Sequence, residues 1–247
     1  MKNKLSLLSI AVQKIRLLAS YCKKNMLKGV LPGEFSVSDT KRIHFSKGNL
    51  YFNGSEFVFE AKQYESHGYD SGSNIWGLFG WSTGSTNYGM STSTSRSDYS
   101  GEFNDWGKTI GDGKTWRTLS QAELIYLINN NGEENVRKGK FKYGVRVCEK
   151  ANCLILAPDD FEGVIAESYD AAAWKVAESE GLVCLPAAGY RTGNSMALTN
   201  GGGLYWSSSA HDEDLAYHLG FIDYGVFPGN PTARDGGLSV RLITECQ

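Results

Sequence analysis

Three consecutive serines, Ser207–Ser209, precede His211 and Asp212 in this chain. A serine nucleophile, a histidine base and an aspartate that orients the base are the parts of a hydrolase triad. A triad depends on where these groups lie in space, and adjacency in sequence does not supply that geometry. Serines that follow Trp206 in a strand-like run are more typical of hydrogen bonding at a strand end. We therefore predict no catalytic residues in this segment.

Metal-ligand patterns are weak. The cysteines are odd in number and form no Cys-x-x-Cys pair, and no two histidines have the i, i+4 spacing of helical ligands. We interpret the acidic run Asp212–Asp214 and the pair Asp159–Asp160 as solvated turns rather than calcium ligands. Buried free thiols are favoured, although Cys148 and Cys153 could pair across a hairpin in an exported protein. We predict neither a metal nor a cofactor.

Composition limits the classes of function. The 247 residues are 41% hydrophobic and 12% aromatic, which is enough to bury a core. A formal net charge of -2 argues against nucleic-acid binding, which needs a basic stripe. The 29 glycines, with six tryptophans and thirteen tyrosines, predict many tight turns between short strands and large loops packed by aromatic rings.

The amino-terminal residues 1–29 differ from the rest. Lys2 and Lys4 precede an apolar run, Leu5–Val12, like the start of a secretion signal, but the run is too short to span a bilayer. The same residues could form an amphipathic helix, or translation could begin at Met26. We predict a peripheral segment outside the core and no membrane span.

From residue 30 the chain alternates between apolar and polar residues, as strands do. Asn53-Gly54 between two apolar runs is a strong hairpin signal. Residues 66–115 are rich in small polar types but contain several embedded aromatic residues. Disordered segments lack such rings, so we predict a long loop that packs on the scaffold.

Two helices are expected. Ser120 followed by Glu123 is a capping box, and Asp170 is a good cap for a second helix that ends near Gly181. Many short strands with two helices and long loops predict a single α+β domain over residues 30–247.

Near the carboxyl end, two strongly patterned runs, Gly203–Ser209 and Gly237–Ile243, bracket a segment of mixed composition, residues 210–236. Within Leu215–Ile222 the odd-numbered residues are apolar and are predicted to face the core with Trp206 and Val240, whereas the even-numbered ones have no packing logic. An irregular surface held by a rigid scaffold is typical of a binding site. The alternative interpretation of this segment is an ordinary hairpin that faces solvent and binds nothing. The candidate contact residues are His211, Asp212, Asp214, His218, Ile222, Asp223, Tyr224, Phe227, Asn230, Thr232 and Asp235.

Four motifs, in order along the chain, resemble a known group of proteins. They are Trp116-Arg117-Thr118-Leu119, Leu185-Pro186-Ala187-Ala188-Gly189, Tyr205-Trp206-Ser207-Ser208-Ser209 and Ser239-Val240-Arg241-Leu242. Together they are similar to gut-bacterial and phage proteins that include the variable proteins of diversity-generating retroelements, and more distantly to the formylglycine-generating enzyme. The resemblance covers roughly residues 30–243. It implies a C-type-lectin-like α+β fold with two main helices, short antiparallel strands and long packed loops.

The resemblance also implies a source of variation. Retroelement variable proteins are randomised at adenines of AAC-type codons near the carboxyl end, and such codons cannot specify Lys, Glu, Gln, Met or Trp. These five types make up nearly a fifth of the chain, yet Glu213 is the only one of them between residues 210 and 235. We therefore expect residues 210–236 to be a variable region.

The implied function is recognition without catalysis. The resemblance predicts a protein on a cell surface or phage particle that binds a protein or glycan receptor on another surface. The Glu-Pro-Asn and Trp-Asn-Asp patterns of calcium-dependent lectins are absent, so the alternatives are calcium-independent glycan binding and a structural or pilus-type subunit. An exposed tryptophan within residues 66–115 would favour glycans. Formylglycine-generating activity is not carried over, because Cys184 and Cys246 match no motif of that enzyme's cysteine pair.

Overall fold

Short strands dominate the structure, a computed structural model that describes residues 29–112, 115–130 and 143–246. Except for its last residue, the predicted peripheral segment lies outside the described residues. In chain order the strands are β1 (Phe35–Ser36), β2 (Arg42–Phe45), β3 (Leu50–Phe52), β4 (Phe57–Phe59), β5 (Tyr69–Asp70), β6 (Ile75–Trp76), β7 (Arg117–Thr118), β8 (Tyr143–Cys148), β9 (Ala151–Leu156), β10 (Ser168–Tyr169), β11 (Val183–Pro186), β12 (Tyr190–Thr192), β13 (Ser195–Ala197), β14 (Gly202–Ala210), β15 (Leu215–Ile222), β16 (Gly225–Ala233) and β17 (Leu242–Glu245).

Both predicted helices begin where the capping residues place them. The Ser120 backbone N–H donates to Glu123 Oε2 over 2.9 Å, and the Glu123 N–H donates to Ser120 Oγ over 3.3 Å, which completes the capping box. Asp170 Oδ1 accepts from the Ala173 N–H at 2.8 Å. The helical segments are α1 (Gln121–Ile125), α2 (Ala171–Ser179), two 3-10 turns (Arg96–Tyr99 and Trp106–Thr109) and a π-helical turn (Tyr126–Asn130).

The predicted fold class is nevertheless wrong. A C-type-lectin-like α+β fold with two main helices needs long helices, whereas α1 has five residues and α2 has nine. The described chain is otherwise mostly strands in several small, largely antiparallel sheets. A cap fixes where a helix starts but not how far it extends. After Ile125, aromatic, β-branched and asparagine residues of lower helix propensity follow, and the α-helix changes to a π-helical turn.

The strands form five sheets. Their orders are β1-β2-β17-β7, β4-β3-β6-β5, β10-β8-β9-β11, β12-β13 and β14-β15-β16. All pairs within them are antiparallel except β10 with β8. The predicted Asn53-Gly54 hairpin is confirmed as the connection between β3 and β4. In the first sheet, β17 near the carboxyl end pairs with β2 near the amino end, so this sheet joins distant parts of the chain.

The three-stranded sheet β14-β15-β16 is covered on both faces over much of its length. Tyr205, Leu219 and Phe221 pack into one hydrophobic core, with residues of β2, β9 and α1. Trp206 and Ala216 point the opposite way, into a second core rich in tryptophan. Neighbouring residues of a strand alternate between faces, so a strand buried on both faces needs apolar residues at consecutive positions. Leu219, Phe221, Trp206 and Val240 are buried as predicted, whereas Tyr217 is only half-buried.

The long segment 66–115 packs on this scaffold, as predicted. Trp76, Phe79, Trp81 and Trp106 are all buried. Trp81 Nε1 donates to the Ser207 carbonyl at 3.0 Å, which ties the segment to β14. No tryptophan of the segment is exposed. The segment therefore offers no exposed tryptophan on which a glycan could stack. Among the described helices, none is both long and apolar enough to cross a membrane.

A third core forms between the sheet of β8, β9 and β11 and the helix α2. It contains Trp174 and the three thiols of Cys148, Cys153 and Cys184, which are buried and free. The interpretation of these cysteines as buried free thiols is confirmed, and Cys148 and Cys153 form no disulfide. Burial raises the pKa of the Cys184 thiol well above its usual value, which keeps it protonated and unreactive.

The two-sided burial of β15 makes Leu219 a test of this packing. Leu219 is 1% exposed. Leu219→Ala should lower the free energy of unfolding by about 2–5 kcal/mol, because a buried large-to-small change loses transfer free energy and leaves a cavity. Urea denaturation measures this. Val164, which is 89% exposed, supplies the control: Val164→Ala should change stability by less than about 0.5 kcal/mol. Equal effects of the two truncations would contradict the packing described.

Candidate binding surface

Five of the candidate contact residues share one face of the β15–β16 hairpin. The antiparallel register pairs Ile222 with Gly225, Gly220 with Phe227, His218 with Asn230 and Ala216 with Thr232. Directly paired residues lie on the same side of an antiparallel sheet. The predicted division of β15 into odd and even faces therefore extends across to β16. We call the exposed or half-buried side chains of this face, Ile222, Phe227, Asn230 and Thr232, together with the turn residues Asp223 and Tyr224, the hairpin surface.

A β-bulge in β16 produces this alignment. The register shifts between His218 and Leu219, so that Gly229 is an extra residue in β16. Gly229 has a φ of +86°, where glycine is favoured, and a Cβ there would lie 3.1 Å from Gln121 and 3.2 Å from Ile125 of α1. Without the bulge, Phe227 and Asn230, three residues apart, would face opposite sides. The bulge places both on the hairpin surface.

The aromatic residues of the hairpin surface are its most exposed part. Tyr224 is 83% exposed at the two-residue turn between β15 and β16, and Phe227 is 40% exposed beside it. The Phe227 ring lies close to Gly225, where a Cβ would come within 2.8 Å of the ring. Asp223 and Asn230 are also exposed, whereas Ile222 and Thr232 are half-buried. The surface thus combines two exposed rings with small polar side chains.

The prediction that His218 is a contact residue is wrong. His218 is 7% exposed, and its ring packs edge-on against Trp206 with centroids 6.5 Å apart. Its Nδ1 is buried and has no hydrogen-bond partner among the described residues. Burial lowers the pKa of His218 from 6.5 to about 4, because the charged imidazolium loses its hydration. His218 therefore belongs to the scaffold under the surface.

His211, Asp212 and Asp214 lie at the opposite end of β15, in the turn between β14 and β15. Asp212 Oδ2 accepts a hydrogen bond from His211 Nδ1 at 2.8 Å, and its Oδ1 accepts from the Leu215 N–H at 2.8 Å. The His211 bond is the largest of several that lower the pKa of Asp212. Asp214 pairs with Arg96 at 3.8 Å. These exposed groups are largely engaged in holding the turn, in agreement with their interpretation as turn residues.

The candidate residues therefore form two groups rather than one. Seven steps along β15 separate the two turns, which corresponds to about 23 Å. Asp235 belongs to neither group, because one of its carboxylate oxygens is buried without a hydrogen-bond partner in the described structure. The hairpin surface carries the exposed aromatic side chains, whereas the turn between β14 and β15 carries most of the charged side chains.

The serine run has a structural role, as predicted. Ser207 is fully buried, and its Oγ donates to the Tyr217 carbonyl at 2.8 Å. Ser209 Oγ accepts from the Gln121 N–H at 3.0 Å. The β14–β15 pairing is interrupted between Trp206 and Ala210, so the Ser207 hydroxyl replaces part of the missing ladder, whereas the Ser209 hydroxyl ties β14 to α1. His211 is bonded to Asp212 rather than to a serine.

Two of the clefts on the described surface contain polar side chains that sequence reasoning did not identify. One of about 200 Å³ adjoins the hairpin surface and is lined by Arg146, Asn152 and Glu167 together with Ile222 and Asp223. A larger one of about 630 Å³ lies elsewhere, between Lys62, Tyr64, Lys150 and Asn200, and contains none of the candidate residues. Ile222 and Asp223 of the hairpin surface line the smaller cleft, so we take that end of the molecule as the candidate site. Its Arg146 and Glu167 come from β8 and the segment before β10, both far from β15 in sequence.

Comparison of the chain with protein-family models, curated proteins and solved structures finds no match in any of the three.

The buried imidazole of His218 makes stability depend on pH. Its folded pKa is lower than that of the unfolded chain, so its stabilisation is complete above pH 6.5 and is lost as pH falls towards 4. Between pH 7 and pH 4.5 the wild type should lose about 2 kcal/mol more unfolding free energy than His218→Gln. Urea denaturation at both pH values measures the difference. The same pH dependence in both proteins would show that His218 is accessible to protons in the folded state.

Proposed function

We propose that this protein is a non-enzymatic receptor-binding protein whose contact surface is the hairpin surface. The observation that carries the proposal is the exposure of two aromatic side chains, Tyr224 in the turn and Phe227 three residues later in β16, on a hairpin whose strand β15 is buried. Exposed rings beside polar groups are typical of contact surfaces, where Tyr and Phe supply area at low entropic cost.

Rigidity of the support favours binding. Phe221 and Leu219 fix β15 in one core, and Trp206 and His218 fix its other face. A pre-organised surface loses little conformational entropy on association, so more of the contact energy appears as affinity. The bulge at Gly229 rests against α1, which fixes the exposed strand β16 as well.

The chemistry of the surface favours a protein receptor on another cell or surface over a glycan. The six tryptophans, the residues best suited to stack on sugars, are all buried. Tyr224 and Phe227 with Asp223 and Asn230 instead resemble the mixture of aromatic anchors and small polar groups in protein-binding loops. Such a protein would be displayed outside the cell or on a phage particle.

Diversification of this surface by a retroelement is part of the proposal. Side chains such as Tyr224, Phe227 and Asn230 are exposed and can change with little effect on packing, whereas Leu219, Phe221 and His218 cannot. The poverty of Lys, Glu, Gln, Met and Trp between residues 210 and 235 agrees with randomised AAC-type codons. Buried His218 is excluded from the variable set.

Loss of the exposed side chains should abolish binding and leave the fold intact. Arrays of bacterial surface proteins and of glycans, probed with the wild-type protein, identify the bound target. The triple variant Tyr224→Ala, Phe227→Ala, Asn230→Ala should weaken that binding by about 30-fold or more, because anchors at the centre of an interface carry most of its energy. Its melting temperature should match that of the wild type.

Another pair of exposed apolar residues provides the matched control. Met196 and Leu198 are 39% and 51% exposed, outside the hairpin surface. The double variant Met196→Ala, Leu198→Ala should bind the target as the wild type does. If the triple variant binds normally, or the control loses binding equally, the hairpin surface is not the site.

Sequencing many copies of the gene from one bacterial population tests diversification separately. Substitutions should concentrate at exposed positions such as 223, 224, 227 and 230, trace to adenines in a template repeat, and leave 218, 219 and 221 unchanged. The reason is that only the exposed side chains vary without loss of core packing. Even variation along the chain, or no reverse transcriptase beside the gene, would leave an undiversified binding protein.

A further inference from the structure

We propose that Glu34, His44 and Cys246 form a binding site for a divalent transition-metal ion of the zinc class. One ligand-capable atom from each residue, a carboxylate oxygen, an imidazole nitrogen and a sulfur, lies within 4.8 Å of the other two. Ligands around a tetrahedral zinc ion stand about 3.3–3.8 Å apart, given bonds of about 2.0–2.3 Å. Among the described residues, no other group of three such donors comes this close together.

Strand register builds the cluster. Ile43 of β2 pairs with Phe35 of β1 on one side and with Glu245 of β17 on the other. One step along β2, His44 therefore lies next to Glu34, and Cys246 follows β17 at the diagonal position. The Cys246 N–H donates to the Arg42 carbonyl at 3.0 Å, which continues the ladder beyond β17 and fixes the cysteine backbone.

His44 has the hydrogen bond that typically supports a metal-binding histidine. The imidazole is buried, and its Nδ1 lies 2.9 Å from the Gly33 carbonyl oxygen. A carbonyl only accepts, so Nδ1 carries the proton and Nε2 keeps its lone pair. A hydrogen bond from the second ring nitrogen to a backbone carbonyl is the usual support of metal-bound histidines.

The donor set selects the ion. The Cys246 thiol would release its proton to solvent as the ion binds. The resulting thiolate and the Glu34 carboxylate would balance the charge of a divalent cation, and a thiolate with an imidazole favours zinc or cobalt over calcium or magnesium. Glu34 is exposed, which provides a route of entry and lets its carboxylate adjust to the ion. Three protein ligands leave one position of a tetrahedral ion to water.

Binding there would join segments that are far apart in the sequence. Glu34 and His44 belong to the region of β1 and β2, and Cys246 directly follows β17. A metal bound by all three holds β1, β2 and β17 together, so it should stabilise the folded state in proportion to its affinity.

Cobalt tests the site, because a thiolate bound to Co²⁺ gives a charge-transfer band in the near ultraviolet. The reduced, untagged full chain, freed of metal, should bind one equivalent of Co²⁺ with this band, and Zn²⁺ should displace it and raise the melting temperature. Cys246→Ser should abolish the band and weaken zinc binding by about 100-fold, and Glu34→Gln by about tenfold or more. Both residues lie at the surface end of the cluster, so these variants avoid the buried His44.

The pair His211 and Asp212 is the matched control, since it is an imidazole–carboxylate contact of 2.8 Å without a thiol. His211→Gln should bind Co²⁺ as the wild type does. Absence of a thiolate band in the folded wild type, or persistence of the band in Cys246→Ser, would overturn the proposal.

Discussion

The burial of β15 on both faces is the constraint on which the rest of the structure depends. The middle strand β15 has consecutive buried residues, His218 to Phe221. Because neighbouring residues face opposite sides of a sheet, other parts of the chain must pack on both faces. One side receives β2, β9 and α1, and the other receives the tryptophan-rich segment 66–115. Among the described residues, no α-helix packs on the second face, and the long segment with its aromatic rings covers it instead.

Buried arginines connect those irregular segments to the scaffold. Arg191 donates to the carbonyls of Gly193 and Ser91, and its guanidinium lies 5.3 Å from the rings of Tyr69 and Trp76. Arg234 donates to the Tyr99 carbonyl and stacks 4.3 Å from Trp81, so it reaches a second part of the same long segment. Burial lowers the pKa of both guanidiniums. Each has five donors, which lets one side chain satisfy several loop carbonyls at once. The long segment is therefore held by specific polar contacts as well as by ring packing.

Local sequence signals predicted local structure well and the fold poorly. Ser120 with Glu123 and Asn53 with Gly54 act within a few residues, and both the helix start and the hairpin were predicted correctly. The helix lengths were not, because packing decides how far a short helix extends. Alternation along β15 identified its two faces, but burial of His218 depends on Trp206 across the sheet, which the strand's own sequence does not reveal. The bulge at Gly229, which aligns Phe227 with Asn230, is visible only in the register. Glu34, His44 and Cys246 are brought together by strand pairing between the two ends of the chain, so spacing in sequence gave no sign of them.

The edge position of β16 decides how the hairpin surface can bind. An edge strand presents unpaired backbone groups that invite pairing with another strand. Here Pro228 and Pro231 remove backbone donors from β16, and the bulge at Gly229 interrupts its regular pleat. Strand addition to this edge is disfavoured, since a partner strand would find neither a continuous ladder nor a flat edge. In the proposed binding, recognition by β16 would therefore fall to its side chains. This would suit the proposed diversification, because a backbone-mediated contact would be insensitive to the substitutions.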